Sequence, residues 1–132
     1  MEKALRESEE DLRALFDDAP LPYHEIDRHG IVVRVNRTEC KMLGVKASEM
    51  IGRPIWEFVS PEEREQCQAS VAGELIGLHA PPLTERRFRS RTGAELVFQI
   101  HDRPITDPAG NVVGTRTAMI DRTETNLSLI HI

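Results

Sequence analysis

The sequence lacks an apolar run of the roughly 20 residues that a membrane-spanning helix requires. It holds only two cysteines, Cys40 and Cys67, without the spacing of a metal site, and no signal peptide is recognisable. We therefore expect a reduced, cytoplasmic protein without disulfides. Basic residues are the minority, 17 against 22 acidic ones, for a net charge of -5. This balance disfavours nucleic-acid binding and direct membrane contact, which depend on clustered lysine and arginine.

Catalytic motifs are also missing. The sequence contains no GxSxG or HExxH motif and no glycine-rich phosphate loop. His24, His29 and His101 are scattered over predicted strands and turns, without an acid or a nucleophile at a telling spacing. We expect no enzymatic activity within these residues and no metal site.

What is present is the composition of one globular domain, with 39% hydrophobic and 30% charged residues. The segment 2–18 is predicted to form an amphipathic helix, because its apolar residues lie on one helical stripe. These residues are Leu5, Leu12, Leu15 and Phe16. Two heptads are too few for a coiled coil, but the stripe suits a dimer contact. Pro20 and Pro22 end the helix.

A predicted β-hairpin and short helices follow. The hairpin consists of YHEID, a turn at Gly30 and IVVRVN. Asn36 is expected to cap a short helix that ends at Gly44, with Glu39 returning a hydrogen bond to the Asn36 backbone. KASEMIG is expected to form another helical turn.

A longer helix is predicted to begin at SPEE, with Ser60 as N-cap and Glu63 as its capping-box partner, and to continue to about Leu78. Three strands follow, in TERRFRSR, ELVFQIHDRPI and NVVGTRTAMID. The order of elements is that of an α+β domain, without internal repeats.

The order and spacing of these segments resemble a PAS domain over about residues 19–124. The likeness lies in ALRESEEDLRALFDDAP, VNRTECKMLGV, MIGRPIWEFVSPEE, RFRSRTGAELVFQI, PITDPAGNVVG and IDRTE. It implies a five-stranded antiparallel sheet with short helices and one longer helix on one face, preceded by the amphipathic helix. It also implies a sensory module joined to a histidine kinase, a diguanylate cyclase or another PAS domain. We divide the chain into a dimerisation helix (1–18), a sensor domain (19–125) and a tail (126–132).

Strand alternation gives the sheet a largely apolar inner face, if Phe88 points toward the helices as the resemblance implies. We expect a pocket there for a small apolar or aromatic ligand, with Arg86 and two threonines as polar anchors. Its expected lining is Met42, Trp56, Val71, Arg86, Phe88, Leu96, Phe98, Ile100, Thr115, Thr117 and Met119. A filled core would instead indicate a ligand-free dimerisation or docking module. A polar pocket with a buried, perturbed Asp or His would indicate a small α+β enzyme.

Two cofactors known in the family do not match the sequence. Flavin-binding light sensors carry a cysteine after the GR of GRPIWEF, where this chain has Ile55, and Phe88, Phe98 and Met119 replace the polar amides of the inner strands. Haem-binding relatives place an iron-ligating histidine in the long helix. The segment EEREQCQASVAGELIGL contains none. We expect neither flavin nor haem, and the identity of the ligand stays open.

The opposite, outer face of the sheet carries Arg87, Arg89 and Arg91 without an aromatic partner. We expect ion pairs with acids of the first helix rather than nucleic-acid binding. The same face carries an apolar patch, called here the seat. We expect apolar residues of the first helix, called the cover, to bury it, either within the same chain or from a second copy in a homodimer. The seat is Val97, Ala118 and Ile120, and the cover is Leu12, Leu15 and Phe16.

The end of the chain combines a motif with an unusual tail. The resemblance implies a signal-transfer motif of Asp121, Thr123 and Glu124, in which Asp121 accepts hydrogen bonds from Thr123 or the following backbone and starts a linker helix. The final LSLIHI is what CTGTCTCTTATACACATC encodes, an end sequence of a transposase-based sequencing library method. We interpret it as translated adapter and expect an effector domain to follow in the natural protein. The alternative is a natural apolar end strand.

Overall fold

The computed structural model describes residues 2–75 and 84–123, with side chains from residue 8 onward. The helices are α1 (Glu2–Asp17), α2 (Arg37–Leu43), α3 (Ala47–Met50) and α4 (Arg64–Leu75), with 3₁₀ turns at Ile55–Glu57 and Pro61–Glu63. The strands are β1 (Tyr23–Asp27), β2 (Val32–Val35), β3 (Thr84–Arg89), β4 (Glu95–Thr106) and β5 (Val112–Asp121). None of the helices described is long and apolar enough to cross a membrane.

The five strands form one antiparallel sheet in the order β2-β1-β5-β4-β3. The last strand is therefore central, between the first strand and β4. Its pairing with β1 requires Gly114, because a Cβ atom there would lie 2.3 Å from the Ile26 carbonyl oxygen. The predicted fold class, a five-stranded antiparallel sheet with helices, and the predicted order of elements along the chain are confirmed.

The β1–β2 turn is shaped by Asp27 and Gly30. The Asp27 carboxylate accepts hydrogen bonds from the backbone N–H groups of His29 at 2.8 Å and Ile31 at 3.1 Å. Gly30 has a φ of 79°, and a Cβ atom there would lie 2.5 Å from the Trp56 ring. Both its backbone conformation and the ring above it require glycine. The hairpin is therefore fastened to the helical layer as well as to the sheet.

The core lies between the inner face of the sheet and the helices. At its centre the rings of Phe88 and Phe98 meet edge to face, with centroids 5.4 Å apart. The buried apolar residues are Ile26, Val32, Val35, Cys40, Leu43, Met50, Ile55, Val59, Cys67, Val71, Phe88, Phe98 and Met119. Strand alternation from Phe88 is confirmed, since Arg86, Phe98, Thr115, Thr117 and Met119 are also buried.

The first predicted helix cap is half right. The Asn36 side chain accepts a hydrogen bond from the Glu39 N–H at 3.0 Å, and Gly44 ends α2 with a φ of 71°. Glu39 does not return a bond to Asn36, because the Asn36 N–H already donates to the Tyr23 carbonyl at 2.9 Å. The carboxylate of Glu39 turns instead to His24.

The capping box predicted at Ser60 and Glu63 is wrong. The Ser60 N–H donates to the Arg87 carbonyl at 2.8 Å, so β3 occupies the group that Glu63 was expected to bind. Glu63 accepts from the Arg87 N–H at 2.9 Å. A 3₁₀ turn precedes α4, and the predicted end of this helix at Leu78 lies outside the described residues.

The outer-face arginines also find other partners than predicted. Arg89 lies 3.4 Å from Glu95 of the neighbouring strand and 3.9 Å from Glu62, and Arg91 pairs with Glu49 of α3. These acids come from the 3₁₀ turn, α3 and β4 rather than from α1.

Candidate functional site

A small cavity lies between α4 and the inner face of the sheet. Its volume is about 40 Å³, which is room for roughly three water molecules. The apolar residues of its wall are Ile26, Ile55, Cys67, Val71, Phe88 and Ile100. The polar residues of its wall are His24, Ser70, Glu74, Thr84, Arg86, Asp102 and Thr117. The cavity is thus amphiphilic rather than apolar throughout.

One polar residue of the wall, His24, belongs to a buried ion pair. The Nδ1 atom of His24 lies 2.8 and 2.9 Å from the two carboxylate oxygens of Glu39, and both side chains are almost fully buried. Burial by itself lowers the pKa of His24, but the charge and hydrogen bond of Glu39 outweigh it, and the pKa is raised above its ordinary 6.5. The pair therefore favours the protonated imidazole and joins β1 to α2.

Two carboxyl groups meet across the cavity. Glu74 of α4 is hydrogen-bonded to Asp102 of β4, and burial together with that carboxylate raises the pKa of Glu74 to about 9. The positive charge of Arg86 lowers the pKa of Glu74 and so opposes this rise. The Thr117 hydroxyl donates to Asp102 Oδ1 at 2.5 Å. At neutral pH Glu74 therefore keeps its proton and shares it with Asp102.

Arg86 and Cys67 are two further ionisable residues of the wall. Arg86 is only 7% exposed, its Nη1 atom lies 3.5 Å from Glu63 Oε1, and that nitrogen has no hydrogen-bond partner among the described residues. Burial raises the pKa of the Cys67 thiol to about 11, with Arg86 opposing the shift. The thiol is thus protonated at neutral pH and a poor nucleophile.

Five residues of the expected pocket line this cavity: Val71, Arg86, Phe88, Ile100 and Thr117. The structure places the other six outside the wall. Phe98, Thr115 and Met119 are buried in the core, Met42 and Leu96 are packed against it, and Trp56 covers Gly30.

The sequence analysis missed His24, Glu74 and Asp102, although periodicity could have found them. His24 is two positions from buried Ile26 on β1, and Asp102 is two positions from Ile100 on β4, so each shares the inner face. Glu74 follows Val71 by one helical turn on the same stripe of α4. The sequence analysis applied strand alternation only from Phe88 and did not extend it to these three residues.

The residues after β5 form a compact turn. Asp121 Oδ1 accepts hydrogen bonds from the Thr123 N–H at 2.9 Å and from the Thr123 hydroxyl. That hydroxyl accepts from the Val97 N–H at 3.0 Å, and the Arg122 N–H donates to the Val97 carbonyl at 2.7 Å. The bond predicted for Asp121 is present, and Glu124 lies outside the described residues. The chain therefore leaves the sheet fastened to β4.

Within one chain the predicted cover does not close over the outer-face seat. Leu12 and Leu15 are 63% and 70% exposed, while Val97, Ala118 and Ile120 are half-buried. Phe16 packs edge to face on Tyr23 of β1 at 5.1 Å, and the Arg34 guanidinium lies 3.6 Å from the centre of its ring. The end of α1 is thus anchored at the β1–β2 edge, and Leu12 and Leu15 remain exposed.

Among residues 2–75 and 84–123, no group of three or more histidine, cysteine or acidic side chains could hold a metal ion.

Comparison with known proteins supports the resemblance to PAS domains. A family model described as the PAS fold matches residues 10–122. The C4-dicarboxylate transport sensor protein DctS of Rhodobacter capsulatus is 28% identical over 116 residues, which are 85% of this chain and 17% of that protein. The chain thus spans only a small part of this curated relative.

Two solved PAS domains share the fold. The PAS domain of an HTR-like protein from Haloarcula marismortui has a TM-score of 0.75 and 26% identity, covering 91% of this chain and 96% of that one. The PAS domain of a protein from Colwellia psychrerythraea has a TM-score of 0.74 and 19% identity, covering 89% and 98%. The resemblance inferred from the sequence is confirmed, and the chain belongs to the PAS family.

Proposed function

We propose that this PAS domain is the cytoplasmic sensor of a signalling protein and regulates a histidine kinase or a diguanylate cyclase joined after residue 123. The supporting observation is the fastened turn of Asp121 and Thr123 at the end of the central strand. A rigid junction of this kind transmits movement of a strand to whatever follows it.

The cavity and the junction are connected by one strand. Thr117 lines the cavity and holds Asp102, and Asp121 lies four residues further along β5. A ligand that binds one arrangement of the cavity better than another shifts the balance between them. Because β5 is central, such a shift reaches the junction directly.

Replacing Asp121 with alanine tests this proposal. The change removes two hydrogen-bond acceptor contacts, each worth about 1 kcal/mol, so we expect at least a tenfold loss in the ratio of output between the two signalling states. The measurement is kinase or cyclase activity of a fusion that joins the domain in frame to a reporter effector.

The control for this experiment is Asp107→Ala. Asp107 forms an equivalent turn in the β4–β5 loop, accepting from the Ala109 N–H at 3.0 Å and the Asn111 N–H at 2.9 Å, but it is far from the junction. We expect normal regulation in this variant. Equal regulation in Asp121→Ala, Asp107→Ala and the parent fusion would refute the relay.

We also propose that the domain works as a homodimer in which α1 of each copy contributes Leu12 and Leu15. Both side chains are exposed in one chain, and the seat of Val97, Ala118 and Ile120 is only half-buried. Burying a leucine side chain contributes about 1.5–3 kcal/mol, and a symmetric dimer would bury Leu12 and Leu15 from each copy.

Leu15→Asp should therefore weaken the dimer by at least tenfold in Kd, as measured by analytical ultracentrifugation. Ala14→Asp adds the same charge to an exposed neighbour on α1 and serves as the control. A molecular mass unaffected by Leu15→Asp, with an unchanged melting temperature, would contradict the proposal.

The relative's name refers to C4-dicarboxylates, and this cavity offers poor support for such a ligand. Glu74 and Asp102 already crowd two carboxyl groups at its wall, and a dianion would add to the repulsion. A small ligand with both polar and apolar parts fits the amphiphilic wall better.

A small enzyme is the second candidate, favoured by the buried His24 and Glu74 with their shifted pKa values. A general acid or base must reach its substrate. His24 is committed through Nδ1 to Glu39, and Glu74 to Asp102. Turnover by the isolated domain of a bound compound would favour this candidate over the sensor.

A further inference from the structure

The cavity is lined by a basic residue, Arg86, and by two acidic residues, Glu74 and Asp102. Arg86 of β3 supplies a buried cation whose Nη1 atom is without a hydrogen bond among the described residues, apart from the 3.5 Å ion-pair contact with Glu63. Buried donors of this kind are normally satisfied, and an orphaned one calls for a partner. A carboxylate group is the partner that a guanidinium matches best.

The carboxyl pair of Glu74 and Asp102 requires a positive charge, as Arg86 requires a negative one. Two carboxylates in contact cannot both remain ionised without a positive charge between them. Burial and Asp102 raise the pKa of Glu74 to about 9, so that a proton on Glu74 meets that requirement, and the Thr117 hydroxyl donates a hydrogen bond to Asp102. An ammonium group would meet it equally well, with three N–H donors for the two carboxylates.

The size and the remaining wall limit what carries these two groups. Three water molecules occupy about 90 Å³ in the liquid, so a ligand that replaces them has only a few non-hydrogen atoms. The apolar side chains of Ile26, Val71 and Ile100, which also line the cavity, accommodate a methyl group or a short alkyl chain. An ammonium and a carboxylate on a carbon skeleton of this size describe a small amino acid.

We propose that the cavity binds a small amino acid as its zwitterion, with the carboxylate on Arg86 and the ammonium between Glu74 and Asp102. The inference rests on the proposed sensor function and names the class of ligand for it. The bound ammonium takes the place of the proton on Glu74, and that proton leaves to solvent, so binding releases one proton for each ligand.

Other titratable and charged groups surround this position. They are His24 of β1 paired with Glu39 of α2, Cys67 of α4, and Glu63 of the 3₁₀ turn beside Arg86. Burial lowers the pKa of His24 and Glu39 raises it, with a net rise that favours the protonated ring, and burial raises the pKa of the Cys67 thiol to about 11. Glu74 is thus the group from which the proton comes.

Titration calorimetry with glycine and L-alanine tests the proposal on the whole chain. Measurements at pH 7 in two buffers of different ionisation enthalpy count the protons released, and we expect close to one. Methylammonium and acetate carry the two halves of the ligand separately, and each should bind at least tenfold more weakly than glycine. Acetamide supplies a neutral molecule of similar size and should also bind more weakly.

Glu74→Gln is the decisive variant, because it keeps the shape of the side chain and has no proton to lose. We expect at least a tenfold loss of affinity and no proton release, while Glu65→Gln, an exposed change on the same helix, behaves like the parent. Arg86→Met should remove the preference for glycine over methylammonium, and a melting curve shows whether it folds.

Several results would overturn the amino-acid proposal without touching the relay. These are no binding of glycine or L-alanine at millimolar concentration, equally tight binding of either half or of acetamide, or binding without proton release. The Asp121→Ala experiment has its own readout in effector activity. An intact relay with no amino-acid binding would therefore reject only the ligand class.

Discussion

Replacing His24 with leucine is expected to lower the free energy of unfolding by about 3–5 kcal/mol, as is typical when one member of a buried ion pair is removed. The change leaves the Glu39 carboxylate buried, fully enclosed and without its partner cation. Chemical denaturation of the parent and the variant measures the difference. His101→Leu, on the exposed side of β4, is the matched control and should cost far less.

A double variant separates the ion pair from packing. Exchanging both His24 and Glu39 for apolar residues of similar volume removes the stranded charge, and such exchanges are often neutral or stabilising. We expect His24→Leu with Glu39→Met to recover most of the lost stability. If the double variant is as unstable as His24→Leu, steric misfit and not the charge is responsible.

The same pair makes stability depend on pH. The pKa of His24 is raised above its ordinary 6.5, so the folded protein holds a proton that the unfolded chain releases near that value. The contribution of the pair is present in full below pH 6.5 and is lost as the pH rises through the higher pKa of the folded state. Unfolding free energies of the parent should fall over this range, and those of His24→Leu should lack this component.

Replacing Phe98 with alanine is expected to cost about 3–5 kcal/mol, the range for truncating a buried aromatic side chain. Phe98 has no exposed surface, and its ring meets Phe88 edge to face at 5.4 Å. It was expected in a ligand pocket, but the structure places it in the core beside the cavity. The loss is therefore one of packing, and it should appear in the absence of any ligand.

Val97→Ala is the control for this prediction. Val97 is the preceding residue of β4, lies on the outer face and is half-buried, so its truncation should cost clearly less. Thermal and urea unfolding measure both variants. A loss below about 1 kcal/mol for Phe98→Ala, which is what a flexible pocket wall would give, would contradict the assignment of Phe98 to the core.

Much of the fold could be predicted from local patterns. Gly30 and Gly44 mark a turn and a helix end because few other residues adopt a positive φ. Alternation from Phe88 correctly placed Arg86 and Phe98 on the inner face. The caps at Glu39 and Ser60 could not be predicted in this way, because their competing partners, His24 and the Arg87 carbonyl, are distant in sequence.

The sequence by itself determined the order of the elements, through periodicity and residues with restricted backbone conformations, and its resemblance to PAS domains supplied the family and the orientation from which alternation assigned the faces of β3, β4 and β5. Only the tertiary structure decided which polar groups share the cavity. Glu74 and Asp102 lie on separate elements, and their shared proton depends on a contact that no spacing along the chain encodes. Hydrogen bonds and charge interactions act over a few ångströms in space, so the chemistry of the site is set by how α4 packs on the sheet.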